Sequence, residues 1–170
     1  MIHQAIITAG GKGSRMGSDT PKQFMRLGGK PMLQYSLEAF YSFNPDVSIV
    51  LVLPHDYLEE WEQIKHQDKI EIEHRFVSGG STRFQSVKNG LELVQPEGLV
   101  AVHDGARPLI KSETIKTLFE AAAKKGSAIP YNLPADSVRL ERKDTNVIID
   151  RASIRMIQTP QVFDAEIRAS

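Results

Sequence analysis

A glycine-rich stretch with interleaved cations follows the first apolar run of this sequence: Ala9-Gly10-Gly11-Lys12-Gly13-Ser14-Arg15-Met16-Gly17, then Pro21-Lys22-Gln23-Phe24. Glycines let backbone N–H groups converge on an anion without Cβ obstruction. Lys12, Arg15 and Lys22 can neutralise phosphate charge, Arg15 as a planar fork of donors and Lys22 as a compact point charge. The spacing matches neither the ordinary P-loop nor the Gly-x-Gly-x-x-Gly dinucleotide fingerprint. The plain alternative is a flexible connection with a solvated basic face. A second motif, Ser78-Gly79-Gly80-Ser81-Thr82-Arg83-Phe84-Gln85-Ser86, joins a glycine pair to hydroxyls. It suits close approach of a ligand at a helix start, where Ser81 and Ser86 can hydrogen-bond base edges, or simply a tight turn plus an N-cap. A third, Val102-His103-Asp104-Gly105-Ala106-Arg107-Pro108, offers a carboxylate suited to Mg²⁺, which binds through one or two carboxylates plus substrate phosphates. An Asp104–Arg107 contact within the turn is the other reading. His103 lacks a nearby serine or cysteine nucleophile and reads as structural. A fourth, Asp150-Arg151-Ala152-Ser153 with Thr159-Pro160-Gln161 beyond it, can hold a second anion, although an arginine in a hairpin is usually a solvated surface residue.

These residues need a frame. Apolar, β-branched runs over 5–9, 47–53, 70–77, 99–103 and 127–131 read as strands. Helical spacing over 31–43, 57–67, 84–94 and 112–125 reads as helices, the last with Ser112 as N-cap and Gly126 as its stop. Strands apolar on both faces and separated by helices predict an α/β fold: a Rossmann-like, mostly parallel sheet with helices on both faces. Ligands in such folds sit at the carboxyl ends of the strands. The first three motifs all fall there, and that coincidence favours a nucleotide-phosphate site. Residues 136–151 break the rhythm with two short strands around a polar turn, predicting a projecting β-hairpin arm. The stretch over 162–167 reads as the start of a helix with no stop signal.

Composition narrows the chemistry. The 170 residues are one domain's worth. Lys plus Arg and Asp plus Glu both number 21, so no excess positive charge favours nucleic acid or a membrane surface as partner. The absence of cysteine removes thiol nucleophiles, zinc–thiolate sites and disulfides. The chain has no apolar run near the roughly 20 residues of a membrane span and no secretory signal pattern, so a cytoplasmic location is expected.

The four motifs, in order from Ala5 to about Phe163, resemble the sugar-phosphate nucleotidylyltransferases and, within them, the 2-C-methyl-D-erythritol 4-phosphate cytidylyltransferase family. That resemblance implies transfer of CMP from CTP to the polyol phosphate, with Mg²⁺ as cofactor and pyrophosphate as leaving group. It implies Arg15 and Lys22 as the cations that stabilise the transition state, and Ala9, Gly10, Gly11, Gly13 and Ser14 as the triphosphate loop. Gly80, Ser81 and Ser86 would lie at the cytosine, Ala106 beside the ribose, and Asp104 at the metal. Ser137, Arg151 and Thr159 would contact the acceptor. The hairpin would be the arm of a homodimer, its arginine serving the neighbouring subunit. Ser81 departs from a frequently acidic position.

The family also implies roughly 60 further residues, the balance of a complete nucleotide-binding domain. They would include an acceptor-binding lysine and a second acidic metal contact, so Ser170 is expected to be a boundary within a longer protein. Two other readings compete: a ribitol or ribulose 5-phosphate cytidylyltransferase, and a non-catalytic nucleotide-binding module. His103-Asp104-Gly105-Ala106-Arg107-Pro108 leans towards the methylerythritol phosphate acceptor, because the pentitol relatives tend to carry serine and valine before the arginine.

Overall fold

The structure, a computed structural model, describes residues 1–10 and 21–166. In chain order, β1 (His3–Thr8) leads through the short strands β2 (Arg26–Leu27) and β3 (Lys30–Pro31) to α1 (Met32–Phe43) and β4 (Ser48–Leu53). Then come α2 (Leu58–Gln67), β5 (Arg75–Ser78), α3 (Arg83–Leu91), β6 (Leu99–Asp104) and α4 (Ser112–Lys125). The remainder is β-structure: β7 (Ser127–Ala128), β8 (Tyr131–Asn132), β9 (Val138–Arg142), β10 (Thr145–Ile149), β11 (Met156–Ile157) and β12 (Gln161–Asp164).

The main sheet has the order β5-β4-β1-β6-β12-β7. The first four of these strands run parallel, and β12 is antiparallel to both β6 and β7. Alternate residues of the central strands enter two cores. Ala5, Ile7, Ile49, Leu51, Leu99 and Ala101 pack against residues of α1, α2 and α4. Ile6, Val50, Val52 and Val100 pack on the other face, with Leu91 of α3 against them. Helices on both faces explain why these strands read as continuous apolar runs. On the second face α3 lies close to the sheet because Gly90 has no side chain: a Cβ there would fall 2.8 Å from Ile6 Cγ2 and 3.0 Å from Val52 Cγ2.

The α/β architecture agrees with the sequence reading, and so does the hairpin, which β9 and β10 form. Four local expectations are corrected. The strand expected over 70–77 is confined to Arg75–Ser78. Ile70 and Ile72 pack on the core while Glu71 and Glu73 face out, so the alternation reports one-sided burial, with no partner strand among the described residues. The strand expected over 127–131 splits into β7 and β8, which lie in different sheets; Pro130 between them has no N–H to continue a ladder. Ser112 is the first residue of α4 and not its cap, which is Lys111; the helix does stop at Gly126, in the left-handed conformation with φ of 83°. Of the stretch expected to begin a helix at 162, residues 162–164 belong to strand β12, paired with β6, and the helical turn starts only at Ala165 and Glu166.

Candidate active site

Three strand ends meet along one edge of the sheet. Thr8 is in register with both Val52 and Asp104. Beyond it, Ala9 N–H donates to Val52 O (2.8 Å), Gly105 N–H to Thr8 O (2.8 Å) and Gly79 N–H to Leu53 O (2.6 Å). The loops that leave β1 and β5 are thus tied to β4, and the loop that leaves β6 to β1, before they diverge. Gly10 is exposed, and among the described residues a Cβ on it would meet nothing within 4 Å. Gly11, Gly13, Ser14 and Arg15 lie outside the described residues.

The glycine loop after β5 is braced from α3. Thr82 caps the helix by accepting from Gln85 N (3.1 Å). Ser86, 7% exposed, accepts from Gly80 N (3.1 Å) and donates to Thr82 O (2.9 Å). Its hydroxyl shapes the loop from inside, while Ser81 is exposed. Gly80 is needed sterically, since a Cβ would fall 2.1 Å from Gln85 Cγ.

Asp104, at the carboxyl end of β6, is held on both oxygens. Arg83 reaches Oδ1 through Nε (3.3 Å) and Nη2 (3.1 Å), and Arg107 Nε donates to Oδ2 (3.1 Å). The Asp104–Arg107 contact anticipated as a turn contact is therefore present. Arg83 carried no role in the sequence reading. It stands at the first residue of α3, where the helix dipole disfavours a cation, and Asp104 offsets that cost. Thr159 also belongs here: its Oγ1 accepts from Asp104 N (3.3 Å) and lies 3.1 Å from His103 Nδ1. Arg107 Nη1 donates to Gln158 Oε1 (2.7 Å), tying the same segment to the β6 turn. Ala106 is partly buried in that turn.

Lys22 opens a 3₁₀ turn, Lys22–Phe24, whose Gln23 and Phe24 are buried. Lys22 itself is partly buried at the entrance to this turn. The remaining predicted residues sit apart. Ser137 is exposed just before β9. Arg151 follows β10 in a turn capped by Asp150, and its Nη1 donates to Ala135 O (2.8 Å) at the base of the arm. The hydrogen bonds of Arg151 and Thr159 thus go to different parts of the chain.

Among the described residues no three His, Cys, Asp or Glu side chains gather to hold a metal. One strand-end carboxylate is still compatible with Mg²⁺, because phosphates and water supply most of that ion's shell. Asp104 retains 29% side-chain exposure, and its partners are guanidiniums 46% and 53% exposed, so an oxygen can be released to a cation.

His103 is fully buried, with Phe40 edge-on to its ring. Burial outweighs the opposing pull of Asp104 and pushes its pKa down to about 4. The unfolded chain takes up this proton near the usual 6.5 and the folded chain only near 4, so stability is lost as pH falls through that window. The loss expected from His103 in metal-free buffer is on the order of 3 kcal/mol. Urea unfolding at pH 7.5 and 4.5 checks this: His103→Asn should show a smaller drop than wild type, and parallel drops would contradict it.

A mostly parallel sheet with a braced glycine loop after β5 and a clamped carboxylate at the end of β6 defines an α/β fold with polar groups gathered where such sheets bind ligands, and the comparisons make the class a nucleotidyltransferase. The family model for 2-C-methyl-D-erythritol 4-phosphate cytidylyltransferase (IspD) matches residues 3–170, and the chain belongs to that family. A protein of that name from Bacteroides thetaiotaomicron is 44% identical over 167 residues, covering 98% of this chain and 76% of the relative. One from Porphyromonas gingivalis is 45% identical over 163 residues, covering 95% and 72%. Among solved structures, the 4-diphosphocytidyl-2C-methyl-D-erythritol synthase of Anaerococcus prevotii superposes with a TM-score of 0.81 at 29% identity, covering 98% of this chain and 71% of that one. The cytidylyltransferase of Thermus thermophilus gives 0.70 at 28% identity, covering 97% and 71%.

Proposed function

We propose that the protein transfers CMP from CTP to 2-C-methyl-D-erythritol 4-phosphate and releases pyrophosphate, a step of non-mevalonate isoprenoid biosynthesis. The observation that carries this reading is the family match over residues 3–170. The acceptor's phosphate oxygen attacks the α-phosphorus of CTP, and the bond from that phosphorus to the β-phosphate's bridging oxygen breaks in line. No protein nucleophile is required, in keeping with a chain without cysteine. The loop from Ala9 to Ser14 cradles the triphosphate, while Arg15 and Lys22 meet the charge that develops on the transferring phosphoryl group. Gly80 and Ser81 approach the base, Ser86 holding Gly80 in place, and Ala106 lies by the ribose. Mg²⁺, bound through Asp104 and the phosphates, would neutralise charge on the triphosphate.

Ser137, Arg151 and Thr159 bind the acceptor, with Arg151 supplied by a second copy of the chain. The arm's apolar exposure supports a homodimer: Leu140 is 46%, Val147 45% and Ile148 71% exposed, a surface that a second copy would cover. Among the described residues no helix is long and apolar enough to cross a membrane, and we place the reaction in the cytoplasm.

Pyrophosphate release with CTP and Mg²⁺, run in parallel with methylerythritol phosphate and ribitol 5-phosphate, tests the reading. Turnover with the first alone is expected; turnover only with the second would move the protein to the pentitol reaction. Binding of CTP without turnover of either would make it a non-catalytic module. Arg151→Ala is expected to raise the acceptor KM about 10-fold or more with CTP binding unchanged, in line with loss of a charge-assisted contact. An equal loss of CTP affinity would remove Arg151 from the acceptor site.

A further inference from the structure

The turn that carries Lys22 rests on a platform provided by α2. Phe24, 4% exposed, stacks on Trp61 with ring centroids 5.9 Å apart and planes 14° from parallel. Tyr57 meets the same Phe24 ring edge-on at 5.9 Å. Trp61 is fully buried in α2, and its indole Nε1–H donates to His74 Nε2 (2.9 Å). His74 Nδ1 lies 2.7 Å from Ile72 O, an acceptor only. The two contacts together fix the tautomer: Nδ1 carries the proton and Nε2 presents its lone pair to the indole. Burial lowers the pKa of His74, which favours the neutral ring this arrangement needs. The far end of α2 holds the next stretch of chain as well, through a two-pronged pair of Arg26 with Asp68 at 3.0 Å on each prong.

An indole buried for packing alone would be served by any large apolar side chain. Here its N–H has one partner, that partner has one orientation, and the ring so held is the surface on which Phe24 lies, two residues from Lys22. We infer that the Trp61–His74 pair is a positioning element for Lys22, setting the stacking plane of Phe24 and through it the direction from which the Lys22 ammonium approaches the transferring phosphoryl group. The inference rests on the transition-state role proposed above for Lys22. Placement errors of about 1 Å at a reacting centre can cost up to about 100-fold in rate, so a turn seated on a loosened ring is expected to lose turnover and keep nucleotide affinity.

The test measures kcat and KM for CTP in wild type, Trp61→Phe, His74→Leu, His74→Gln, Lys22→Ala and the double variant Lys22→Ala/His74→Leu, with folding checked by circular dichroism. Trp61→Phe and His74→Leu should each lower kcat about 10-fold with KM for CTP changed less than about 2-fold. His74→Gln, which can still accept from the indole and donate to Ile72 O, should recover most of that loss. The double variant should be no slower than Lys22→Ala, because His74 acts through a group already removed. Multiplying effects in the double variant would overturn the inference, as would a His74→Leu enzyme of wild-type kcat. If His74→Leu fails to fold, the Trp61→Phe arm and its double variant with Lys22→Ala decide by the same criteria. A fully active Lys22→Ala would instead refute the role of Lys22 itself, a distinct outcome visible in its own arm, and the positioning inference would fall with it.

Discussion

Lys22→Ala is expected to lower kcat by about 100-fold to 1,000-fold at saturating substrates while KM for CTP changes only a few-fold. The triphosphate already carries its charge in the ground state, where the glycine loop proposed to bind it would act. What grows during transfer is charge around the α-phosphorus and on the departing pyrophosphate. A cation aimed at that position contributes mainly in the transition state, and removing one such preorganised group typically costs about 3–4 kcal/mol. Arg15→Ala should behave alike, with a further loss of bidentate geometry that lysine cannot restore. Steady-state kinetics with CTP varied at saturating acceptor separates the alternatives. A rise in KM with kcat intact would make Lys22 a ground-state phosphate contact. Normal turnover would end its assignment to the chemistry.

The frame that carries this site was readable because its strands are buried on both faces. The runs that became β1, β4 and β6 alternate between two cores, so nearly every residue had to be apolar. The same logic failed at β12. Val162 packs on one face and Phe163 on the other, and a strand of four residues covered on both sides shows no alternation to distinguish it from a helical turn. It failed in the opposite sense over 70–74, where Ile70 and Ile72 alternate with Glu71 and Glu73 although, among the described residues, no strand pairs with them. Periodicity reports which side is buried. It does not report a hydrogen-bonding partner.

The site divides along a similar line. Asp104 was legible because a carboxylate closing an apolar run stands where parallel sheets bind ligands. Arg83 was visible in its motif but had no readable purpose. Its helix follows β5, while its partner ends β6, and β4 and β1 lie between those two strands. Only the crossover of α3 over the sheet brings the guanidinium to the carboxylate. Ser86 shows a second tie that spacing hides: its hydroxyl also accepts from Gly80 and donates to Thr82, with one acceptor lone pair left over. Trp61 and His74 are 13 positions apart, a separation with no motif to mark it, and their relation to Lys22 passes through a ring stack that spacing cannot express.

Asp104→Asn is the second change with a large expected effect. The amide keeps the size of the carboxylate and can still accept from one guanidinium, but it carries no charge for Mg²⁺ and leaves Arg83 and Arg107 without their shared counter-ion. Two consequences should separate. If Asp104 serves the metal, half-maximal activity requires about 10-fold more Mg²⁺ or greater, and kcat at saturating Mg²⁺ stays down by about 100-fold, the scale of one lost electrostatic contact at a reacting phosphate. If Asp104 serves only to brace the arginines, Mg²⁺ dependence stays at the wild-type value, and Arg83→Met reproduces the whole defect. Arg83→Met is expected instead to leave the Mg²⁺ requirement unchanged or lower it, because it removes a cation that competes for the same oxygen. Mg²⁺ titrations of the two variants beside wild type therefore separate the readings: only Asp104→Asn raises the requirement if Asp104 serves the metal, neither variant raises it if Asp104 only braces the arginines, and a raised requirement in both would exclude the competition between guanidinium and metal.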